Sequence, residues 1–216
     1  MKSRFAVIGL GRFGGSVATN LARWNYEVLG VDRDESRVKL MSTHLARAVQ
    51  ADAANPRVFR SLKLSGFDTA VVAMGSSLEP SILVTTMLKQ GQCPRVVAKA
   101  ASDLHASVLK LVGADQVVLP EREMGSRVAR NLALPNILDY LALAPGYRVV
   151  EARAPVAFHG RSLGDLDLGA GHGLNVVAVL GAGGVEVAPP ASHVVRPGDV
   201  LVVVGREEHL KLLNQV

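Results

Sequence analysis

The chain has 216 residues, 49% of them hydrophobic but only 4% aromatic, and carries a formal net charge of +5. That length suits one domain of ordinary size plus a small one, and a core drawn mainly from Val, Leu, Ile and Ala fits parallel strands buried under helices. Scattered basic residues argue against a nucleic-acid partner, the single Cys93 excludes an internal disulfide and a multi-cysteine zinc site and fits a reducing cytoplasm, and no apolar run reaches the ~18 residues of a membrane span, so any membrane role is expected through a partner.

Residues 5–8 read as a buried strand rather than a secretory leader, because glycines interrupt the apolar run at once and no small-residue cleavage site follows. A helix is expected over 12–24, where Val17, Leu21 and Trp24 recur at helical spacing. The alternation then repeats: strand 26–31, helix 35–43, strand 46–50, and a helix through residue 64 that Asn55 caps and Pro56 starts. Strands follow at 69–74, 95–99 and 116–119, separated by helices over 79–89 and 103–112. Strands alternating with helices imply right-handed crossovers and a mostly parallel sheet covered on both faces, a doubly wound α/β domain.

Residues 123–143 read as a helix, a break at Leu134-Pro135-Asn136 and a second helix, since proline removes an amide donor inside a helix. After Ala144-Pro145-Gly146 the texture changes to short β-rich runs at 147–154, 174–180, 185–187 and 200–204, with a closing helix over 207–214. The expected organisation is a nucleotide-binding domain at 1–122, a crossover at 123–143 and a small α+β domain at 144–216. A domain of this last size is near the lower limit for independent stability, which favours self-association.

The run Gly9-Leu10-Gly11-Arg12-Phe13-Gly14 follows the first strand and opens a helix, the context in which G-x-G-x-x-G marks a Rossmann-type nucleotide site. Gly9 permits the tight turn, Gly11 lets the backbone approach a diphosphate, and Gly14 allows helix to pack on strand. Asp32 closes the second strand at the spacing of an acid that binds ribose hydroxyls, and its charge disfavours a 2′-phosphate, with Arg33 beside it as a counterweight. Asp52 either reaches the adenine edge or caps its own turn. Arg12 either folds over phosphates or is a solvated arginine on the first turn; the first role favours ATP or ADP over NAD or NADH. Ala53, the Ala73-Met74-Gly75 segment and Lys99 complete the candidate contacts at the ends of the following strands.

A dehydrogenase needs a proton donor or acceptor beside the cofactor, and no such set is evident. The six histidines fall on separate expected elements without metal-ligand spacing, and Ser76-Ser77 has no Ser-x-x-x-Lys or Tyr-x-x-x-Lys companion. A nucleotide bound without chemistry acts by favouring one conformation over another, so the chain reads as a regulatory module and not an enzyme. A small NAD-dependent oxidoreductase is the alternative that the glycines and Asp32 support by themselves.

Together with Val31-Asp32, Gly113-Ala114-Asp115, Pro120-Glu121-Arg122-Glu123-Met124-Gly125 and the segment Val195-Arg196-Pro197-Gly198-Asp199, the glycine loop resembles the cytoplasmic regulatory subunits of bacterial Trk/Ktr potassium uptake systems, which carry RCK domains. The resemblance spans essentially the whole chain. It implies an RCK N-terminal lobe, a crossover helix, a C-terminal subdomain, and dimers assembled into a tetrameric or octameric ring at the inner face of the membrane beneath a potassium-translocating subunit. It further implies that ATP favours the active and ADP the inactive ring, with Arg12 at the γ-phosphate, Asp32 at the ribose, and Glu121 beside a cation. Magnesium suits a carboxylate facing phosphates; a favourable charge at a helix start is the other role for Glu121. Some relatives bind cyclic di-AMP at paired C-terminal subdomains, and Asn175 lies in the corresponding strand, but the match there is too short to assign that ligand.

Overall fold

Strands that alternate with covering helices must be apolar on both faces, and the first half of the chain meets that demand. A computed structural model of the protein describes residues 3–74 and 78–214 and divides it into two compact units, Met1–Met124 and Gly125–Val216. In the first unit the elements run β1 (Arg4–Ile8), α1 (Arg12–Arg23), β2 (Glu27–Asp32), α2 (Glu35–Met41), β3 (Arg47–Gln50), α3 (Pro56–Ser61), β4 (Thr69–Val72), α4 (Leu78–Gln90), β5 (Arg95–Lys99), α5 (Asp103–Leu111) and β6 (Gln116–Val118). The six strands form one parallel sheet in the order β3-β2-β1-β4-β5-β6.

Alternate strand residues feed two cores on opposite faces. Ala6, Ile8, Leu29, Val31 and Val72 pack on one side, while Val7, Val28 and Val71 join Leu10, Ala18 and Met41 on the other. Asp34, Asn55 and Ser102 cap the N-termini of α2, α3 and α5 with side-chain oxygens, so the helix starts follow local sequence. This strand order reverses direction between β1 and β4, and ligands in such sheets sit at that switch point, beyond the carboxyl ends of the strands.

Helix α6 (Pro120–Ala133) carries the chain from one unit into the other. The helix expected over the latter part of 123–143 is corrected here: after Pro135 the chain forms strand β7 (Ile137–Ala144), antiparallel to β8 (Tyr147–Arg153). Leu and Ala give residues 137–144 helical character, but pairing along a hairpin outweighs that propensity. Pro145-Gly146 supplies the reversal, with Gly146 at φ +75°.

The second unit continues with a short helix α7 (Leu163–Leu166), then β9 (Leu174–Gly181), β10 (Gly184–Val187) and β11 (Val200–Arg206), and closes with a 3-10 turn over His209–Asn214. Its sheet is wholly antiparallel in the order β10-β9-β11-β8-β7. Val150, Ala152, Val179, Leu201 and Val203 turn toward Phe158, Leu166, Leu174 and Leu213 to make its own core. Among the described residues no helix is long and apolar enough to cross a membrane.

Candidate functional site

The site of the first unit begins with three glycines whose roles differ. Gly9 takes φ +96° as the chain leaves β1, a conformation that side chains disfavour. Gly14 lies behind the loop: a Cβ there would sit 1.8 Å from the Gly9 carbonyl oxygen and 2.8 Å from the Ala73 Cβ, so α1 packs on the strand ends only because that atom is missing. Gly11 has open space, its nearest neighbour being the Arg37 guanidinium at 3.8 Å from an added Cβ. It also serves as the N-cap of α1, with no capping side chain and no acid in the first turn. Uncapped amides and a positive helix end make this a fitting seat for an anion.

A cleft of about 870 Å³ opens over that helix start, within the ordinary range for small-molecule sites. Gly9, Gly11, Arg12, Phe13, Asp32, Arg33, Asp52, Ala53, Ala73, Met74, Lys99 and Glu121 all line it. Gly14 supports the cleft from behind without lining it, and Gly75, Ser76 and Ser77 lie outside the described residues. Sequence spacing missed Arg37, Ser16 and Pro80, which also face the cleft. Arg37 is one turn into α2, and its only signal was its place three residues after the capping Asp34.

Asp32 is buried and held rigidly. One carboxylate oxygen accepts the Leu10 amide at 2.6 Å and the other the Asp34 amide at 2.9 Å, while the Arg37 guanidinium approaches at 3.5 Å. These contacts fix the orientation of the acid at the cleft wall and leave acceptor capacity for a hydroxyl. Asp52 does cap its turn, accepting the Ala54 amide at 3.0 Å, and also lines the cleft; the two roles read from the sequence are compatible.

At the opposite end, Lys99 of β5 donates to Glu121 in the first turn of α6, Nζ to Oε1 at 2.5 Å. The Lys99 hydrogen bond holds the Glu121 carboxyl below the usual glutamate range. The same ammonium lies 5.9 Å from the centre of the Phe13 ring, near the outer limit of a cation–π contact. Arg12 is exposed and makes no ion pair with any described residue. Among the described residues no three His, Cys, Asp or Glu side chains gather as a metal site. Of the histidines, His105 is buried, its Nε2 2.7 Å from the Ser81 hydroxyl and its Nδ1 accepting the Ala101 amide, a fully bonded neutral imidazole.

Comparison with known proteins bears on both units. The TrkA-N domain model matches residues 5–120 and the TrkA-C domain model residues 146–215. The chain is 40% identical over 205 residues to Ktr system potassium uptake protein C of Bacillus subtilis, covering 95% of this chain and 93% of that protein. It is 34% identical over 213 residues to Ktr system potassium uptake protein A of Vibrio alginolyticus, covering 99% and 96%. Among solved structures, the GsuK RCK domain superposes with a TM-score of 0.67 at 18% identity, covering 99% of this chain and 47% of that one. The GsuK channel bound to NAD superposes at 0.66 and 17% identity, covering 99% and 39%. The present chain thus spans less than half the length of these two chains, and at such identities the likeness concerns the fold.

Proposed function

The chain belongs to the Ktr/Trk potassium uptake family and itself joins a TrkA-N to a TrkA-C domain, and we propose that it is the nucleotide-sensing regulatory subunit of such a system. It acts from the cytoplasmic face on a membrane potassium-translocating partner, as dimers arranged in a ring, and performs no catalysis. The observation that carries this reading is the make-up of the cleft: Arg12, Arg33, Arg37 and Lys99 line the same space as the uncapped start of α1, with the rigidly held Asp32 among them. Cations around a helix N-terminus suit a ligand with more than one phosphate, and a fixed carboxylate suits a ribose.

ATP and ADP are the proposed ligands, ATP favouring the active and ADP the inactive ring, with Arg12 reading the terminal phosphate. A ligand shifts such an equilibrium only through unequal affinity for the two states, and an arginine that meets the third phosphate supplies that inequality. Glu121 lines the cleft beside Lys99; with one carboxylate from the protein, a magnesium ion there would complete its coordination with phosphate oxygens and water. NAD is the second reading. The position of Asp32 favours it, and the GsuK channel has been solved with NAD.

Calorimetry with ATP, ADP, AMP, NAD and NADH, paired with sizing of each complex, tests the proposal. ATP and ADP should both bind and yield particles of different shape. Absence of binding by either to folded protein removes the reading, and preference for NAD or NADH with no difference between ATP and ADP selects the second one.

A further inference from the structure

Lys99 and Glu121 differ sharply in their surroundings. The lysine side chain is 16% exposed, anchored at the end of β5, whereas the glutamate side chain is 71% exposed on the first turn of α6. An ammonium so enclosed is costly to leave without an anion, but a largely solvated carboxylate can turn into water at little cost. The ammonium also lies 5.9 Å from the ring centre of Phe13 in the glycine loop, and it shares the cleft with Arg12, which has no ion-pair partner among the described residues. It is the most enclosed cation of the cleft, and an acid of the protein already occupies it.

We propose that Glu121 is an internal stand-in for a phosphate: it neutralises Lys99 while no nucleotide is bound and is displaced when a nucleotide polyphosphate enters. The proposal rests on the nucleotide reading above and adds a partner exchange to it. Lys99 stays in place and changes counter-ion, and Glu121 rotates outward, which frees its carboxylate for a divalent cation. Two consequences follow from the charges. Ligands without phosphate cannot replace Glu121 and leave the pair closed. Without a divalent cation, Glu121 competes with the incoming phosphates for the same ammonium and opposes their binding.

The test measures affinities of adenosine and ADP, in chelator and without divalent ions, for wild type, Glu121→Gln, Lys99→Met and the double variant. Glu121→Gln keeps a side chain of the same shape without the charge. It should strengthen metal-free ADP binding roughly fivefold, the scale of one partly exposed ion pair, and leave adenosine binding unchanged. Lys99→Met should weaken ADP binding, and in its background the gain from Glu121→Gln should shrink to less than about twofold, since the two residues act as one unit. If Lys99→Met does not fold, Lys99→Gln replaces it.

The exchange is overturned if Glu121→Gln leaves metal-free ADP binding unchanged or weaker, if adenosine gains equally, or if the gain persists without Lys99. In each of those cases ADP still binds wild type, so the nucleotide reading stands. If wild type binds neither ADP nor adenosine, both fall together.

Discussion

Two glycines three residues apart should respond to the same substitution in opposite ways. Gly14→Ala places a Cβ 1.8 Å from the Gly9 carbonyl oxygen and 2.8 Å from the Ala73 Cβ. Reaching even a tight contact demands a shift of roughly 1.5 Å between α1 and the ends of β1 and β4. Neither neighbour is a flexible side-chain tip, so the strain spreads into a close-packed interior, and a cost of about 3 kcal/mol, the upper end for overpacking, is expected. At about 3–5 °C per kcal/mol for a unit of this size, the melting transition of the first unit should fall by about 10 °C. Gly11→Ala meets only the Arg37 guanidinium, at 3.8 Å, so the same transition should move by less than about 2 °C, as for other uncrowded surface changes. Its methyl group projects into the cleft, and on the proposed function nucleotide affinity should drop at least tenfold. Calorimetric melting with ligand titration of both variants checks the pair; a Gly14→Ala protein that melts with wild type, or a Gly11→Ala protein that loses stability instead of affinity, refutes the reasoning.

Arg12→Ala should weaken ATP binding well beyond ADP binding, by on the order of tenfold if one charge-assisted contact to the third phosphate is lost, and calorimetry showing equal losses would reduce Arg12 to a general phosphate contact. His105 gives a pH dependence. Burial holds its imidazole below the ordinary value of 6.5, so the unfolded chain takes up its proton first, and stability of the first unit should fall as pH drops below 6.5 until the lower folded value is reached. Denaturant melts from pH 7.5 to 5 should show this slope in wild type and a flatter one in His105→Gln. In the second unit, Gly205→Ala would set a Cβ 2.5 Å from the Leu174 Cδ2 and 2.8 Å from the Gly173 carbonyl oxygen; a loss of about 1–3 kcal/mol is expected, seen as a lower transition for that unit alone.

Local chemistry is where the sequence spoke most clearly. Gly9 answers to a positive φ and Gly14 to the close approach of the Gly9 carbonyl, demands set within a few residues, and Asn55-Pro56 caps and starts α3 as their residue types dictate. The strands of the first unit were legible because a buried parallel strand has no polar face and is bounded by turns. Residues 137–144 defeated this reading. Leu and Ala favour a helix there, and only pairing with β8 makes the strand; Pro145-Gly146 was the local clue to a hairpin.

The amino-acid sequence by itself determined the glycine loop, the acid at the end of β2, the switch in texture at Pro145-Gly146 and, through the family match, the association with potassium uptake. These depend on backbone conformation, spacing and periodicity, which are properties of neighbours in the chain. Tertiary structure decided which charges meet. Lys99 and Glu121 are paired because β5 ends where α6 begins in space, the His105 imidazole is held below its ordinary pKa because α5 buries it, and Arg37 reaches the cleft because α2 turns it toward Asp32. Coulomb energy and desolvation depend on distance and burial, and neither can be read from separation along the chain.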